Sequence, residues 1–391
     1  NNNSSWIAVF HMNLDVDDEN NAIITVLDER SGPWNVYAYK IAPDGTMLWG
    51  NDGVTVSSSS IANYSPRLAV FHDNSVVVTW SQNLSTVCFQ RISSEGDLMW
   101  GEDGIIIMDD NASLMSPQPI VNSDGDALIQ WISQSGPIWA ANSEIYLQKY
   151  DINGNSLWSE PTIVAGPVVF PMGNWLQQSV PEAMGGSFSA WTKMSGNVQS
   201  AVAQLITTNG NWPFSWMGGV SLSTNSNAFH ISPRLAVSED SQELIAVWNE
   251  SNGSQSQRGV YAQRLDQNGN RLWGINGLPV IPLNNNFDYL DLSIVSMGEE
   301  MIVAYIQQST NMSGDIYATR LDADGNATWM GGEVEVTNSG SSKSDMMLGK
   351  GQGCLFIAWT ENGNVYAHSL REDGILGSPD SFVPGDMNGD G

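Results

Sequence analysis

The chain has 391 residues, of which 41% are hydrophobic, enough to bury a sizeable core and too many for a disordered chain. It contains 42 acidic and 14 basic residues, a net charge of −28. A field of that sign repels phosphate backbones and anionic lipids, which makes nucleic acids and membrane surfaces poor partners. No apolar run approaches the roughly 18 residues of a membrane-spanning helix, so we expect no membrane insertion.

Two features bear on the cellular compartment. Residues 1–5 contain no initiator methionine, basic segment or apolar segment, so we expect a trimmed piece of a secreted precursor. Cys88 and Cys354 each lie in an apolar, strand-like run. We expect buried free thiols at both positions, because a core of this size needs no disulfide.

One short turn, in which an Asp, Asn or Glu precedes a glycine, recurs seven times at intervals of 49 to 59 residues. The turns are Asp44-Gly45, Glu95-Gly96, Asn153-Gly154, Asn209-Gly210, Asn268-Gly269, Asp324-Gly325 and Asp373-Gly374. Five repeats have a tryptophan four positions after the glycine, namely Trp49, Trp100, Trp158, Trp273 and Trp329. The fourth repeat has Trp216 two positions later, and the seventh has Leu376 nearby instead. A period of this length is typical of repeat architectures.

Each repeat contains four predicted strands in chain order. A short strand comes first, clearest at residues 66–70 and 233–237. A nearly continuous apolar strand follows, as at residues 76–80, and this composition indicates that both of its faces are covered. A third strand, such as residues 260–264, alternates apolar and polar residues up to the turn, which predicts a hairpin. A fourth short strand follows the tryptophan, as at residues 105–108.

Seven units of this kind predict an all-β protein, a seven-bladed β-propeller of four-stranded antiparallel blades. Each small sheet has two apolar faces and must stack on two neighbours, so the recurrent tryptophans are expected to pack between blades. A linear β-solenoid is the alternative, although its repeats would be shorter and more uniform. We assign residues 1–384 to the propeller and residues 385–391 to the start of a linker or of a truncated calcium-binding module.

Closure of the ring is left open by the sequence. Residues 13–16 align with the first strand of the fifth repeat, and residues 382–383 fit the outer strand of the seventh blade. Residues 6–10 either extend the first strand or pair elsewhere.

The segment VYAQRLDQNGNRLWG, residues 260–274, resembles repeats of secreted bacterial propeller proteins from Bacteroidetes-like lineages. The resemblance covers nearly the whole chain and implies a propeller in an exported or cell-surface protein, but it says little about activity. Within this segment Asp266, Gly269 and Trp273 also resemble the tryptophan-docking motif of quinoprotein propellers. No cofactor site accompanies that motif here.

The C-terminal residues resemble the opening of a type I dockerin repeat. Asp386, Asn388 and Asp390 would take loop positions 1, 3 and 5 of a calcium site, with Gly391 at the sharp turn. The remaining ligands lie beyond Gly391, so the site is incomplete in this chain. The resemblance implies calcium as a cofactor and a cohesin-like or sorting partner for a missing C-terminal module.

Carboxylates are the first candidates for chemistry. The acidic run Asp15, Asp17, Asp18 and Glu19 is a possible calcium site, although such runs are more often solvated loops. Glu29, Glu250 and Glu361 share one register at the ends of their strands. Glu29 and Glu361, on neighbouring blades, are weak candidates for an acid/base pair. The four histidines are scattered without the spacing of metal ligands.

Aromatic side chains in variable loops are the candidate ligand-binding residues. They are Trp139, Phe170, Trp175, Phe229 and Tyr289, and all lie in the two loop classes that emerge on one face of a propeller. Aromatic rings among Asn, Ser and Gln residues suit stacking on sugar rings or a protein interface. Simple anchoring of the loops would use the same residues.

These observations favour a non-enzymatic binding, adhesion or scaffold module of a larger secreted protein, with a glycan or protein ligand on one face. A carbohydrate-active enzyme using Glu29 and Glu361 is the first alternative. A structural spacer or assembly subunit is the second. Convergent carboxylates in a pocket would favour the enzyme, and a shallow aromatic face would favour binding.

Overall fold

The fold is a closed ring of seven small antiparallel sheets. The structure is a computed structural model that describes residues 7–83, 85–136, 142–168, 178–309, 312–351, 354–362 and 364–377. The strands of blades 1 to 4 are β1 (Ile7–Val16), β2 (Ala22–Asp28), β3 (Asn35–Ile41), β4 (Val54–Thr55), β5 (Asn63–Val70), β6 (Val76–Gln82), β7 (Thr86–Ile92), β8 (Ile105–Met108), β9 (Ser113–Val121), β10 (Ala127–Ser135), β11 (Asn142–Tyr150), β12 (Thr162–Val168), β13 (Gln178–Pro181), β14 (Ser187–Ser195), β15 (Val198–Ile206) and β16 (Val220–Ser221). Those of blades 5 to 7 are β17 (Ala228–Val237), β18 (Leu244–Asn252), β19 (Arg258–Leu265), β20 (Leu278–Asn284), β21 (Asp288–Met297), β22 (Glu300–Gln308), β23 (Gly314–Leu321), β24 (Val334–Glu335), β25 (Lys343–Lys350), β26 (Cys354–Glu361) and β27 (Asn364–Arg371).

Strands within a blade pair in simple up-and-down order, as in β1-β2-β3-β4. Six blades have four strands, and the seventh has three among the described residues. The predicted seven-bladed β-propeller is confirmed. The fourth strand expected at residues 382–383 lies outside the described residues, as do residues 385–391.

The ring closes through its inner strands. Each first strand contacts the first strand of the next blade, and β25 of blade 7 contacts β1 of blade 1. The N-terminal segment extends β1, since Ile7 pairs with Asp28 and Ala8 with Leu27 before the register shifts ahead of Asn13. Of the two possibilities for this segment, extension of the first strand is therefore the one observed.

Hydrophobic side chains from facing sheets form the core between blades. The cluster between blades 1 and 2 contains Ile23, Leu27, Val78 and Trp80, and similar clusters lie at the following interfaces up to blades 6 and 7. The second strands are buried on both faces, which explains their continuous apolar sequences.

A tryptophan from each of the first six blades docks on the next blade. Trp49, Trp100, Trp158, Trp216 and Trp329 are buried and Trp273 is half-buried. Each indole N–H donates to a backbone carbonyl in the hairpin turn of the following blade, at 2.8 to 3.1 Å.

The glycine of the repeated turn lets this contact form. Gly154 has φ +83°, and a Cβ atom there would lie 3.1 Å from the Trp100 ring and 2.6 Å from the Ile105 side chain. A side chain at this position would strain the backbone and collide with the preceding blade. The Asx-Gly turn and the tryptophan are therefore two halves of one contact between successive repeats.

A basic side chain reinforces several docks at the same carbonyl. The Ile152 carbonyl of blade 3 accepts from Trp100 Nε1 at 3.1 Å and from Arg91 Nη1 at 3.0 Å. Arg91 also pairs with Asp73 at 2.7 Å in its own blade. Arg264 and Trp273 share the Ala323 carbonyl in the same way, and Arg320 and Trp329 share that of Glu372.

Two repeats depart from the pattern. In blade 4 a 3₁₀ turn at Phe214–Trp216 takes up the two extra residues, so that Trp216 still reaches the Gln267 carbonyl. In blade 7 the partly exposed Leu376 replaces the tryptophan. Gly45, the turn glycine of blade 1, accordingly has no side chain packed on it, since a Cβ atom there would have nothing within 4 Å. Among the residues described, the interface of blades 7 and 1 is thus the one without a tryptophan dock.

Both cysteines, Cys88 and Cys354, are buried free thiols, as predicted. The described chain contains no helix that is both long enough and apolar enough to span a bilayer.

The docking contact predicts the effect of removing one indole. We expect Trp216→Ala to lower the free energy of unfolding by about 3–5 kcal/mol, because a fully buried ring and its hydrogen bond are lost. Trp212→Ala is the matched control, since Trp212 lies in the same loop but is 38% exposed, and its effect should stay within about 0.5 kcal/mol. Urea unfolding followed by circular dichroism measures both. Equal losses for the two variants would contradict the docking role.

Candidate functional site in the axial channel

The register of the strands places one residue from each inner strand at the same level around the axis. These seven residues, here called the axial ring, each pair with a residue near the middle of the adjoining second strand. They are Asn13, Arg67, Gln118, Gln178, Arg234, Ser293 and Met347. Six of the seven are polar, which is unusual for strands that otherwise form the core.

β-Bulges set the direction of several of these side chains. Ser65, Ser116, Ser232, Asp291 and Asp345 each lie two residues before a ring position, at φ between 47° and 56°. A register shift accompanies each of them. Bulges of this kind re-aim the residues that follow them and are common beside functional sites.

The preceding blade holds some bulges in place. Ser81 Oγ accepts a hydrogen bond from the Ser116 amide at 3.1 Å, and Thr192 Oγ1 accepts one from the Ser232 amide at 3.0 Å. The ring positions are therefore fixed both within and between blades.

Part of the axial channel is a cavity of about 310 Å³. Blades 1 to 4 supply its lining, which includes Asn13, Asp15, Arg67, Gln118 and Ser179. A cavity of this size suits a small ligand or one end of a longer one.

Two amides of the axial ring link neighbouring inner strands. Asn13 Oδ1 accepts from the Leu68 amide at 2.8 Å, and Gln178 Oε1 accepts from the Leu235 amide at 2.7 Å. Gln118 Oε1 is a buried acceptor with no hydrogen-bond partner within the described part of the chain. It is available to a ligand that donates a hydrogen bond.

The two arginines of the axial ring form no ion pair with any described carboxylate. Ten of the 14 basic residues do so, namely Arg30, Lys40, Arg91, Lys149, Arg258, Arg264, Arg320, Lys343, Lys350 and Arg371. Burial lowers the pKa of Arg67. Burial and the charge of Arg67 lower the pKa of Arg234 to about 10, against the opposing effect of Asp291. The two guanidinium groups thus lie near enough to repel each other.

Two carboxylates of the inner strands have raised pKa values. Burial raises the pKa of Asp15 to about 6, although its carboxylate accepts hydrogen bonds from the Val16 and Val70 backbone. Burial and the nearby Asp345 raise the pKa of Asp291, whose Oδ2 accepts from the Met346 amide at 3.2 Å. Asp15 can therefore gain or lose a proton close to neutral pH, which a group that transfers protons requires.

A second buried ionisable pair lies at the beginning of β17. His230 Nε2 and Glu250 Oε2 are 3.6 Å apart, and the two side chains are 2% and 3% exposed. Burial lowers the pKa of His230 to about 4 and raises that of Glu250. Since neither side chain reaches solvent, this pair offers no contact to a ligand.

The carboxylates singled out by sequence occupy separate environments. Glu29 is exposed just after β2. Glu361 is buried, accepts hydrogen bonds from Ser339 at 2.6 Å and Trp359 at 3.1 Å, and lies 3.7 Å from Lys343. The hydrogen bond from Ser339 is the main reason why the pKa of Glu361 is lowered. These contacts give Glu361 a structural role at the blade edge.

The acidic run near the N-terminus is divided between two roles. Asp15 lines the channel, whereas Asp17 pairs with Lys40 at 2.9 Å and accepts hydrogen bonds from Asn21. The described residues hold no group of three or more His, Cys, Asp or Glu arranged to bind a metal ion.

Only two of the predicted aromatic ligand residues fall in the described part of the chain. Phe229 is half-buried. Tyr289 is 4% exposed, packs against Tyr305 and accepts a hydrogen bond from Asn284 at 2.7 Å, so it presents no free ring face. The others lie outside the described residues, as do the calcium-ligand candidates: Trp139, Phe170, Trp175, Asp386, Asn388 and Asp390.

Sequence reasoning did not single out the axial ring. Its signal is the motif Ser-Pro-Arg-Leu-Ala-Val, which occurs at residues 65–70 and again at residues 232–237. An arginine repeated inside an otherwise apolar inner strand points toward the axis once seven blades are assumed.

Comparison with known proteins gives matches in structure. No protein-family model and no curated protein sequence matches the chain. The polysaccharide lyase Uly1 aligns over 94% of this chain and 91% of its own, with 10% identity and a TM-score of 0.53. A PL25 ulvan lyase bound to -[GlcA(1-4)Rha3S]- aligns over 93% of both chains, with 10% identity and a TM-score of 0.58. A prolyl endopeptidase aligns over 94% of this chain but 48% of its own, with 9% identity and a TM-score of 0.55.

At such low identity these likenesses show the fold alone. They nevertheless contradict the expectation of a non-enzymatic binding, adhesion or scaffold module, because the structures that match over nine-tenths of both chains include polysaccharide lyases. The expectation was wrong because it rested on aromatic loops and on the absence of a catalytic motif. Residues that different blades contribute singly form no local sequence motif.

The raised pKa of Asp15 predicts how stability depends on pH. Its contribution to stability is fully present below the unfolded pKa of 3.8 and is lost as the pH rises through about 6. We therefore expect Asp15→Asn to be more stable than the wild type at about pH 7.5, by about 1–3 kcal/mol. The difference should vanish near about pH 4. Urea unfolding across this range measures it, and a constant difference at all pH values would contradict the burial of Asp15.

Proposed function

We propose that the protein is a carbohydrate-active enzyme that cleaves a polysaccharide in the axial channel. The observation that supports this most strongly is that the readily titratable Asp15 and Arg67 line one cavity, with Arg234 at an equivalent position of the axial ring. Neither arginine has an ion pair among the described residues. The arginines can bind a ligand and Asp15 can transfer a proton, because they form no ion pair with each other. The structural likeness to polysaccharide lyases supports the same class of reaction.

Each group has a distinct part in such a reaction. Asp15 transfers a proton to or from the sugar at the bond that breaks, and its pKa of about 6 suits that task near neutral pH. Arg67 and Arg234 stabilise negative charge in the transition state, since guanidinium groups in a partly buried site interact strongly with anions. Gln118 and the other amides of the axial ring orient the sugar through hydrogen bonds.

We also propose a cellular location for the protein and a role for its C-terminal residues. A secreted or cell-surface position would give the enzyme access to polysaccharides, in line with the resemblance to exported propeller repeats. Binding of calcium by Asp386, Asn388 and Asp390, and a cohesin-like partner for a following module, stay predictions about the complete protein.

The test is cleavage of a panel of purified neutral and acidic polysaccharides by the full chain. New reducing ends measure cleavage of any kind, and the ultraviolet absorbance of unsaturated uronate ends separates elimination from hydrolysis. We expect Asp15→Asn to lower the rate at least about a hundredfold, as for the loss of a proton-transfer group. Asp18→Asn is the matched control, because Asp18 is exposed outside the channel, and it should leave the rate unchanged.

Two results would overturn this proposal. The first is a folded wild-type protein that cleaves no member of the panel. The second is an Asp15→Asn variant with full activity, which would place the chemistry away from the channel.

A further inference from the structure

We infer that the axial channel binds one anionic substituent of a saccharide, a carboxylate or a sulfate, between the guanidinium groups of Arg67 and Arg234. This inference rests on the proposed function for the saccharide nature of the ligand. The charge of the bound group follows from the arginines themselves.

The distribution of charge in the chain favours an anionic ligand. The chain has three acidic residues for each basic one, 42 against 14. Ten basic residues are paired with carboxylates, yet Arg67 and Arg234, at equivalent positions of one ring, have no such partner in the part of the chain that the structure describes. Placing two like charges together in a partly buried channel is unfavourable unless an anion joins them. The bound substituent supplies that anion.

Both arginines have hydrogen-bond donors available for a ligand. Arg234 uses Nε for the Leu292 carbonyl at 3.1 Å, and within the described part of the chain both of its Nη groups are left for a ligand. Arg67 has no hydrogen-bond partner among the residues described and lines the cavity directly. Guanidinium groups match carboxylate and sulfate oxygens through paired N–H donors.

The backbone around both arginines is held in place before any ligand binds. Pro66 and Pro233 precede them, and the amides that follow, of Leu68 and Leu235, are bound by Asn13 and Gln178 of the preceding blades. A site whose supporting contacts exist before binding loses less entropy when the ligand arrives.

Acceptors near the arginines favour a sugar over a free inorganic anion. Gln118 Oε1 is buried without a partner in the described part of the protein, and the carboxylate of Asp15 lines the same cavity. Both accept hydrogen bonds from hydroxyl groups, which a saccharide has and sulfate lacks. The site thus combines donors for the anion with acceptors for the ring that bears it.

Calorimetric titration of the full chain tests the inference without requiring turnover. The ligands are oligogalacturonate, a neutral oligosaccharide of equal length, the same neutral oligosaccharide carrying sulfate groups, and inorganic sulfate. We expect the uronate or the sulfated saccharide to bind at least tenfold more tightly than the neutral one. Whether the uronate or the sulfated saccharide binds more tightly identifies the anionic group as a carboxylate or a sulfate.

Variants locate the binding. Arg67→Gln and Arg234→Gln should each raise the Kd at least tenfold, while Arg67→Lys should recover part of the affinity because it restores the charge. Lys193→Gln is the matched control, since Lys193 is an exposed cation outside the axial ring, and it should not change the Kd. Circular dichroism of every variant confirms that it is folded.

The inference is overturned if the neutral saccharide binds as tightly as the charged ones, if inorganic sulfate binds and no saccharide does, or if both glutamine variants bind like the wild type. Cleavage of a neutral polysaccharide that is unaffected by these variants would overturn the inference and leave the proposed function intact. If an acidic saccharide binds in a way that depends on the arginines but is not cleaved, the inference stands and the proposed function is overturned.

Discussion

The rest of the structure depends on the hydrogen bond between a tryptophan of one blade and a turn carbonyl of the next. The indole N–H of Trp100 satisfies the Ile152 carbonyl, and Gly154 leaves room for the ring. Repeated at six interfaces, this contact fixes the rotation and height of each blade relative to its neighbour. Residues at equivalent positions of the inner strands therefore meet at one level around the axis. The tryptophan contacts near the outer strands therefore determine how the residues of the axial ring are arranged on the inner strands.

The same arrangement separates stability from function. Most cations stabilise blade edges, where Arg91, Arg264 and Arg320 bind carboxylates and turn carbonyls. Arg67 has no such partner among the described residues, and Arg234 contacts the Leu292 carbonyl of blade 6 through its Nε. A ligand can therefore engage Arg67 and the Nη groups of Arg234 without displacing a contact between blades. The interface of blades 7 and 1 lacks the tryptophan dock among the described residues, and there the inner strands β25 and β1 close the ring.

The fold could be predicted from the sequence because its determinants are local and repeated. A glycine after an Asp, Asn or Glu residue and a tryptophan near it mark every dock, and even the displaced Trp216 keeps its role through a 3₁₀ turn. The site could not be predicted in the same way. Arg67 and Arg234 are 167 positions apart, each has the appearance of an ordinary strand residue, and their meeting depends on bulges and on ring closure. The aromatic loops suggested a binding face instead, and Tyr289 shows how such a ring can serve packing.

The central claim is that the ligand site lies on the axis and is made by the inner strands. A crystal structure of the protein soaked with an acidic oligosaccharide tests it most directly. We expect density for the saccharide in the axial channel, with its anionic group in contact with both Arg67 and Arg234. Density on the outer rim or on the loop face alone, with an empty channel, would contradict it.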